Sequence, residues 1–270
     1  MKPFKIIKAS LAAALVLTFC GCIDISNREF IPDKTTEAEP EHENGVGGDL
    51  LISVTVPATA AESRDLPHVR PETVNESSFS SRQEEFIDSC FFMGDSICSG
   101  FSMYGLSDTC CAKAGVAARN IEEFTFDYGG AQVAPLTAIV NSGMKNLVFM
   151  MGINDVNIET AESYTEYYDS FLKRVEALCP EAEIYVMSIT PVTEDSRFCY
   201  NYEIDEFNKA LFDMIENSSS KARHYVDSSV GLKNEEGALF DDYGMEDGVH
   251  IAKGAYYNML YSLCEGAGVY

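Results

Sequence analysis

From residue 83 onward the chain alternates short apolar runs with longer stretches whose apolar side chains recur every three or four positions. Residues 86–93, 109–114, 147–151, 184–189 and 224–226 read as strands. Residues 133–140, 160–178 and 252–263 read as helices, with a further helix carrying Ile204, Phe207, Leu211, Met214 and Ile215 on one face. In the segment 160–178, Tyr168, Phe171, Leu172, Val175 and Leu178 share a face, and Pro180 stops the helix. Strands that are apolar at nearly every position bury both of their faces. Alternating with helices, they predict an α/β fold with a parallel sheet covered on both sides. In such sheets, ligand sites collect at the carboxyl ends of the strands.

The N-terminal third has a different pattern. Lys2, Lys5 and Lys8 precede a short apolar run over 11–19, the layout of a signal peptide and too short to span a bilayer. The run ends Leu17-Thr18-Phe19-Cys20-Gly21-Cys22, with a small residue directly before Cys22. This resembles a bacterial lipobox, which implies cleavage after Gly21 and a lipid on Cys22; an ordinary secretory signal cut nearby is the other reading. Residues 22–82 are rich in Asp, Glu, Ser, Thr and Pro and cannot bury enough apolar surface to offset the entropy of ordering. Residues 50–56 are an apolar exception that would form a strand or an anchoring segment. The expected organisation is a signal peptide over 1–21, an acidic flexible tether over 22–82 and a folded domain over 83–270. The implied location is extracytoplasmic, on a bacterial cell membrane, with the lipid as the only membrane contact.

Charge narrows the partners. The 270 residues carry 43 Asp and Glu against 19 Lys and Arg, a formal net charge of -24. Nucleic acid binding needs a basic surface that displaces counterions, so nucleic acid is excluded as a partner. Nine cysteines are present, two of them in the signal region. Export permits disulfides, but the seven others are an odd number and match no zinc-ligand spacing, so buried thiols are as good a reading as bridges.

Polar residues stand out at the ends of the apolar strands. The first ends Gly94-Asp95-Ser96, which places a hydroxyl at a helix start, where free N–H groups favour negative charge; Asp95 or Ser96 as a plain helix cap is the alternative. The second runs into Gly115, whose backbone can approach a ligand closely. The third ends Gly152-Ile153-Asn154-Asp155; the Asn154 amide can donate to a developing oxyanion, or form an Asx turn. Near the C-terminus, Asp247-Gly248-Val249-His250 sets a carboxylate three residues before an imidazole, a spacing that lets it hold the ring's Nδ1 side. Of the four histidines, His42 and His68 fall in the tether and His224 starts a strand.

Taken together and in this order, the four blocks resemble the SGNH (GDSL-like) hydrolase family over the whole folded part. Ile97 stands where that family usually has the leucine of Gly-Asp-Ser-Leu. The resemblance implies a flavodoxin-like three-layer α/β/α sandwich with a five-stranded parallel sheet. It also implies Ser96 as nucleophile, His250 as its base and Asp247 as the residue that orients the base. Ser96 and Gly115, through their N–H groups, and Asn154, through its amide, would form the oxyanion hole. Such acyl transfer to water requires no metal and no organic cofactor. Asp155, Arg119 and Tyr200 are the candidate substrate contacts. Arg119 alternatively forms a structural ion pair, and the aromatic segment around Tyr200 is alternatively an ordinary packed loop. The implied activity is hydrolysis of O-acyl esters, often acetyl, on cell-surface or extracellular carbohydrate. Lipase, lysophospholipase or thioesterase action by the same residues is the alternative chemistry, and a non-catalytic surface binding protein the alternative class.

Overall fold

The computed structural model describes residues 74–270. In chain order the elements are α1 (Ser81–Asp88), β1 (Cys90–Gly94), α2 (Ser99–Met103), β2 (Cys110–Ala112), β3 (Phe126–Tyr128) and β4 (Ala131–Val133). They continue with α3 (Pro135–Ser142), β5 (Asn146–Met150), α4 (Ala161–Leu178), β6 (Glu183–Met187), α5 (Asn201–Glu216), β7 (Arg223–Val226) and α6 (Lys253–Gly266). Five strands form one parallel sheet in the order β2-β1-β5-β6-β7. The chain steps from β1 outward to β2 and then back across to β5, so strand order reverses at β1, and the crevice for a ligand opens there.

The central strands are buried from end to end, Cys-Phe-Phe-Met-Gly in β1 and all but the first residue of β5 and β6. That requires helices on both faces. α1 and α2 pack with α6, while α4 packs with α3 and α5. The result is a three-layer α/β/α sandwich with a continuous core that takes in Phe91, Phe92, Phe149, Tyr164, Phe171 and Leu263. Helix α4 begins at Thr160, which caps it reciprocally with Ser163, and buries Tyr164, Tyr168, Phe171, Leu172 and Val175 as one stripe.

Two parts of the sequence reading are corrected. Residues 86–93 are not one strand. Ser80 and Gln83 form a capping box that starts α1, so Phe86 is helical and the strand begins at Cys90. The same helix moves the start of the folded part ahead of residue 83. Asn75 caps a short 3-10 turn over Glu76–Ser78, and Phe79 packs on the core. The β3–β4 hairpin was not anticipated; Gly129 and Gly130, both at positive φ, make its two-residue turn. The signal peptide, Cys22, the tether up to residue 73 and the apolar run 50–56 lie outside the described residues.

Candidate active site

The turn after β1 is built to leave one hydroxyl exposed. A Cβ at Gly94 would lie 1.7 Å from the Met150 carbonyl oxygen, so only glycine lets β1 lie against β5 here. The Asp95 N–H then donates to that same oxygen at 3.1 Å. The buried Asp95 carboxylate accepts the N–H groups of Ile97, at 2.9 Å, and Cys98, at 3.3 Å. Asp95 is thus the residue that caps the turn into α2, and the half-buried Ser96 is left with its Oγ free to meet another group. Burial pushes the Asp95 carboxyl up to about 7; the two N–H groups pull against this, Asp155 adds to it, and His250 opposes it.

That other group arrives from the loop before α6. An antiparallel bridge pairs Gly244 with Ile251, and the Met245 N–H donates to the His250 carbonyl at 2.9 Å, closing the loop on itself. At Gly248 the backbone takes φ +71, and a Cβ would sit 2.5 Å from Thr193 Oγ1, so the position demands glycine. Asp247 Oδ1 accepts the N–H groups of Val249 at 3.0 Å and His250 at 2.8 Å, which fixes its carboxylate. Its Oδ2 lies 2.5 Å from His250 Nδ1, and His250 Nε2 lies 3.0 Å from Ser96 Oγ. Residues 154 positions apart in sequence thus form one continuous chain from carboxylate to imidazole to hydroxyl. Burial raises the Asp247 carboxyl, but the hydrogen bonds from His250 and Val249 outweigh it and hold the group below the usual carboxylate range. An ionised carboxylate facing Nδ1 places the proton there and leaves Nε2 free to accept from Ser96.

The other candidates lie on two neighbouring loops. Gly115 follows β2 at φ +82, and its carbonyl accepts from the Asn120 amide at 3.2 Å. Asn154 follows β5 and donates one amide N–H to the Val116 carbonyl at 2.9 Å, which ties its loop to the Gly115 loop and leaves the second amide N–H unspent.

Asp155 is not a substrate contact. It has no exposed surface, and it accepts the Ala118 N–H at 2.8 Å and the Arg119 Nη1 at 3.0 Å. Arg119 Nη1 also donates to the Asn154 carbonyl at 2.7 Å. Arg119 thus forms a structural ion pair, a latch that holds the Asn154 loop to the Gly115 loop. Burial raises the Asp155 carboxyl above its ordinary value, against the pull of the Ala118 and Arg119 N–H groups and the guanidinium.

Tyr200 stands at the start of α5, its exposed ring stacked on Tyr202 at 5.5 Å. The loop before it bridges both sides of the site. The Thr193 N–H donates to the Gly248 carbonyl at 2.9 Å, and the Phe198 carbonyl accepts from the Asn157 amide at 2.6 Å. His224 is elsewhere, stacked on Tyr185 and 2.7 Å from Glu183.

Sequence reasoning missed the wall beside the nucleophile. A groove of about 670 Å³ opens from Ser96 and His250, walled by Met103, Met245, Ile251 and Tyr256. Among the described residues no group of three or more His, Cys, Asp or Glu is placed to hold a metal ion.

No family model matches the sequence, and no curated protein does. Solved structures do match. An acetylxylan esterase from Geobacillus stearothermophilus aligns over 68% of this chain and 97% of its own, at 14% identity and a TM-score of 0.51. A lipase from a goat rumen metagenome aligns over 67% and 97%, at 13% identity and a TM-score of 0.50. A protein from Streptococcus pneumonia aligns over 66% and 83%, at 21% identity and a TM-score of 0.52. The chain shares the fold of these structures. The parallel sheet and the two helical layers that the sequence led us to expect are the ones these structures share.

Proposed function

We propose that this protein is a serine-dependent carboxylic ester hydrolase of the SGNH type. The single observation that supports it most is the Asp247–His250–Ser96 chain, with contacts of 2.5 and 3.0 Å. His250 Nε2 takes the Ser96 proton as Oγ attacks the ester carbonyl, and Asp247 stabilises the imidazolium that forms. The imidazolium then gives the proton to the departing alcohol. Water, activated by the same nitrogen, releases the acid from the acyl-enzyme. The oxyanion is received by the N–H groups of Ser96 and Gly115 and by the unspent N–H of Asn154. This role rests on the family resemblance, and it is supported by the bond that fixes the Asn154 amide against the Gly115 loop.

The substrate reading is an O-acyl ester on extracellular carbohydrate, acetyl being the simplest acyl group. The acetylxylan esterase that shares the fold supports it, as do the exposed rings of Phe198, Tyr200 and Tyr202, a surface on which a sugar face can stack. Anchoring through Cys22 would keep the site at the cell surface, within reach of such polymers.

The test is direct. The purified domain should be labelled on Ser96 by a fluorophosphonate and should release acetate from acetylated xylan or p-nitrophenyl acetate. Ser96→Ala should lose both while melting like the wild type, and Asn154→Ala should lower kcat about a hundredfold or more with little change in KM. Turnover by Ser96→Ala at the wild-type rate would sink the assignment.

A further inference from the structure

We propose that Tyr256 is a positioning residue for the hydrolytic step: its hydroxyl, answered by that of Tyr104, clamps the Ser96 turn to the His250 loop and so sets the distance between the two reacting side chains. The proposal rests on the ester-hydrolase reading and adds residues that act through Ser96 and His250.

Neither reacting side chain is held in place by its own element. Ser96 lies on the turn into α2, a helix of five residues. So short a helix has too few internal bonds to fix its own position. From the sheet side the turn is tied to Met150 through Gly94 and Asp95, which leaves the distance to His250 unset. The His250 side chain is 42% exposed, so packing does not hold the ring. Asp247 orients it, and Asp247 rides on the same loop backbone through its bonds to Val249 and His250. The 3.0 Å between Nε2 and Ser96 Oγ is therefore governed by how two backbone segments stand to one another.

Two tyrosines cross between those segments in opposite directions. Tyr256, on α6, donates to the Ile97 carbonyl at 2.7 Å, one residue past Ser96. Tyr104, just past α2, donates to the Ile251 carbonyl at 3.4 Å, one residue past His250. Each segment thus grips the other beside its reacting residue. The two rings lie 5.3 Å apart, and Phe101 meets the Tyr256 ring edge-on at 5.0 Å. Gly100 makes the room, since a Cβ there would lie 2.0 Å from the Tyr256 hydroxyl oxygen. The Ile97 carbonyl also accepts the Gly100 N–H at 3.0 Å, so the Tyr256 bond is added to the turn's own bonding and does not replace it. Tyr256 makes the shorter bond and is buried, whereas Tyr104 is half-buried, so Tyr256 carries the larger share.

Misplacing reacting groups by about 1 Å can cost about a hundredfold in rate, so the loss of one clamp bond should be visible in kcat. Tyr256→Phe keeps the ring and removes only the hydroxyl. Turnover of p-nitrophenyl acetate is divided by the fraction of Ser96 that a fluorophosphonate finally labels, so that unfolded protein is not counted. On that scale Tyr256→Phe should lower kcat at least about fivefold with KM within about twofold, and the rate of fluorophosphonate labelling should fall with it. Tyr104→Phe should lose less. Asn258→Ala is the structural control: it removes a buried bond of similar length, to the Tyr243 hydroxyl at 2.8 Å, from the same helix. It should keep kcat per labelled site within about twofold. A smaller kcat loss in Tyr256→Phe, or an equal loss in Asn258→Ala, overturns the clamp and leaves the ester-hydrolase reading standing. A larger loss in Tyr104→Phe than in Tyr256→Phe overturns Tyr256 as the principal tie. A wild-type protein that neither turns over nor labels overturns the ester-hydrolase reading and the clamp with it.

Discussion

At the scale of single residues, the site depends on two carboxylates with opposite electrostatics. Asp247 is held below the usual carboxylate range, so it stays ionised to facing pH values well under neutrality and keeps His250 in the tautomer that accepts from Ser96. Asp95 is the reverse case, fully buried and pushed up to about 7. Its folded form holds a proton more tightly than the unfolded chain does. The resulting penalty is absent below about pH 4, where the group is protonated in both states, grows as pH rises toward 7, and is constant above that. Asp95→Asn keeps an oxygen to accept from Ile97 and Cys98 but removes the titration. Relative to wild type it should gain on the order of 2–4 kcal/mol between pH 4.5 and pH 8, measured by urea denaturation at the two pH values. An equal difference at both would show that Asp95 is not raised. The meeting of Ser96, Asp247 and His250 was legible because their motifs are local and few histidines compete. The role of Asp155 was not, because a carboxylate beside Asn154 reads alike in sequence whether it faces substrate or a buried guanidinium.

At the scale of elements, the loops after β2 and β5 are one mechanical unit. Arg119 reaches from the loop after β2 to Asp155 and to the Asn154 carbonyl on the loop after β5. Arg119→Met leaves the Asp155 carboxylate buried without its cation. It should cost about 2–4 kcal/mol, somewhat below a fully buried pair because the arginine is partly exposed, and should lower kcat by loosening Asn154. Arg119→Met with Asp155→Asn should recover part of the stability, since the stranded charge is gone. Denaturation of the single and double variants gives the coupling directly, and additive losses would argue against a latch. The long periodic elements, α4 and α5 above all, were readable from their apolar stripes. The short ones were not: α2 spans five residues, and β3 and β4 three each, too few to show a period. The clues to these were punctuation, Gly129-Gly130 for the hairpin and Ser80-x-x-Gln83 for α1.

At the scale of the whole molecule, the cysteines test how the domain protects its thiols. All seven described cysteines are free, and five of them, Cys90, Cys98, Cys111, Cys199 and Cys264, are buried. Burial pushes the thiols of Cys90, Cys98, Cys111, Cys199 and Cys264 up, and a thiol that does not ionise is a poor nucleophile toward oxidants and disulfides alike. Packing therefore does the work that pairing does in smaller secreted domains. Cys110 differs. A hydrogen bond with the Cys98 side chain lowers it against the opposing effect of burial, and it is only partly covered. The native domain at pH 8 should thus take up iodoacetamide first at Cys110, with the buried five unmodified until unfolding. In urea without reductant, all seven cysteines between Cys90 and Cys264 should be labelled, and peptide mapping counts them. Five or fewer accessible thiols in the unfolded chain would mean that bridges form in the native protein, and Cys98 with Cys110 would be the first pair to examine. Such a bridge would join the Ser96 turn to β2 and so reach the site itself.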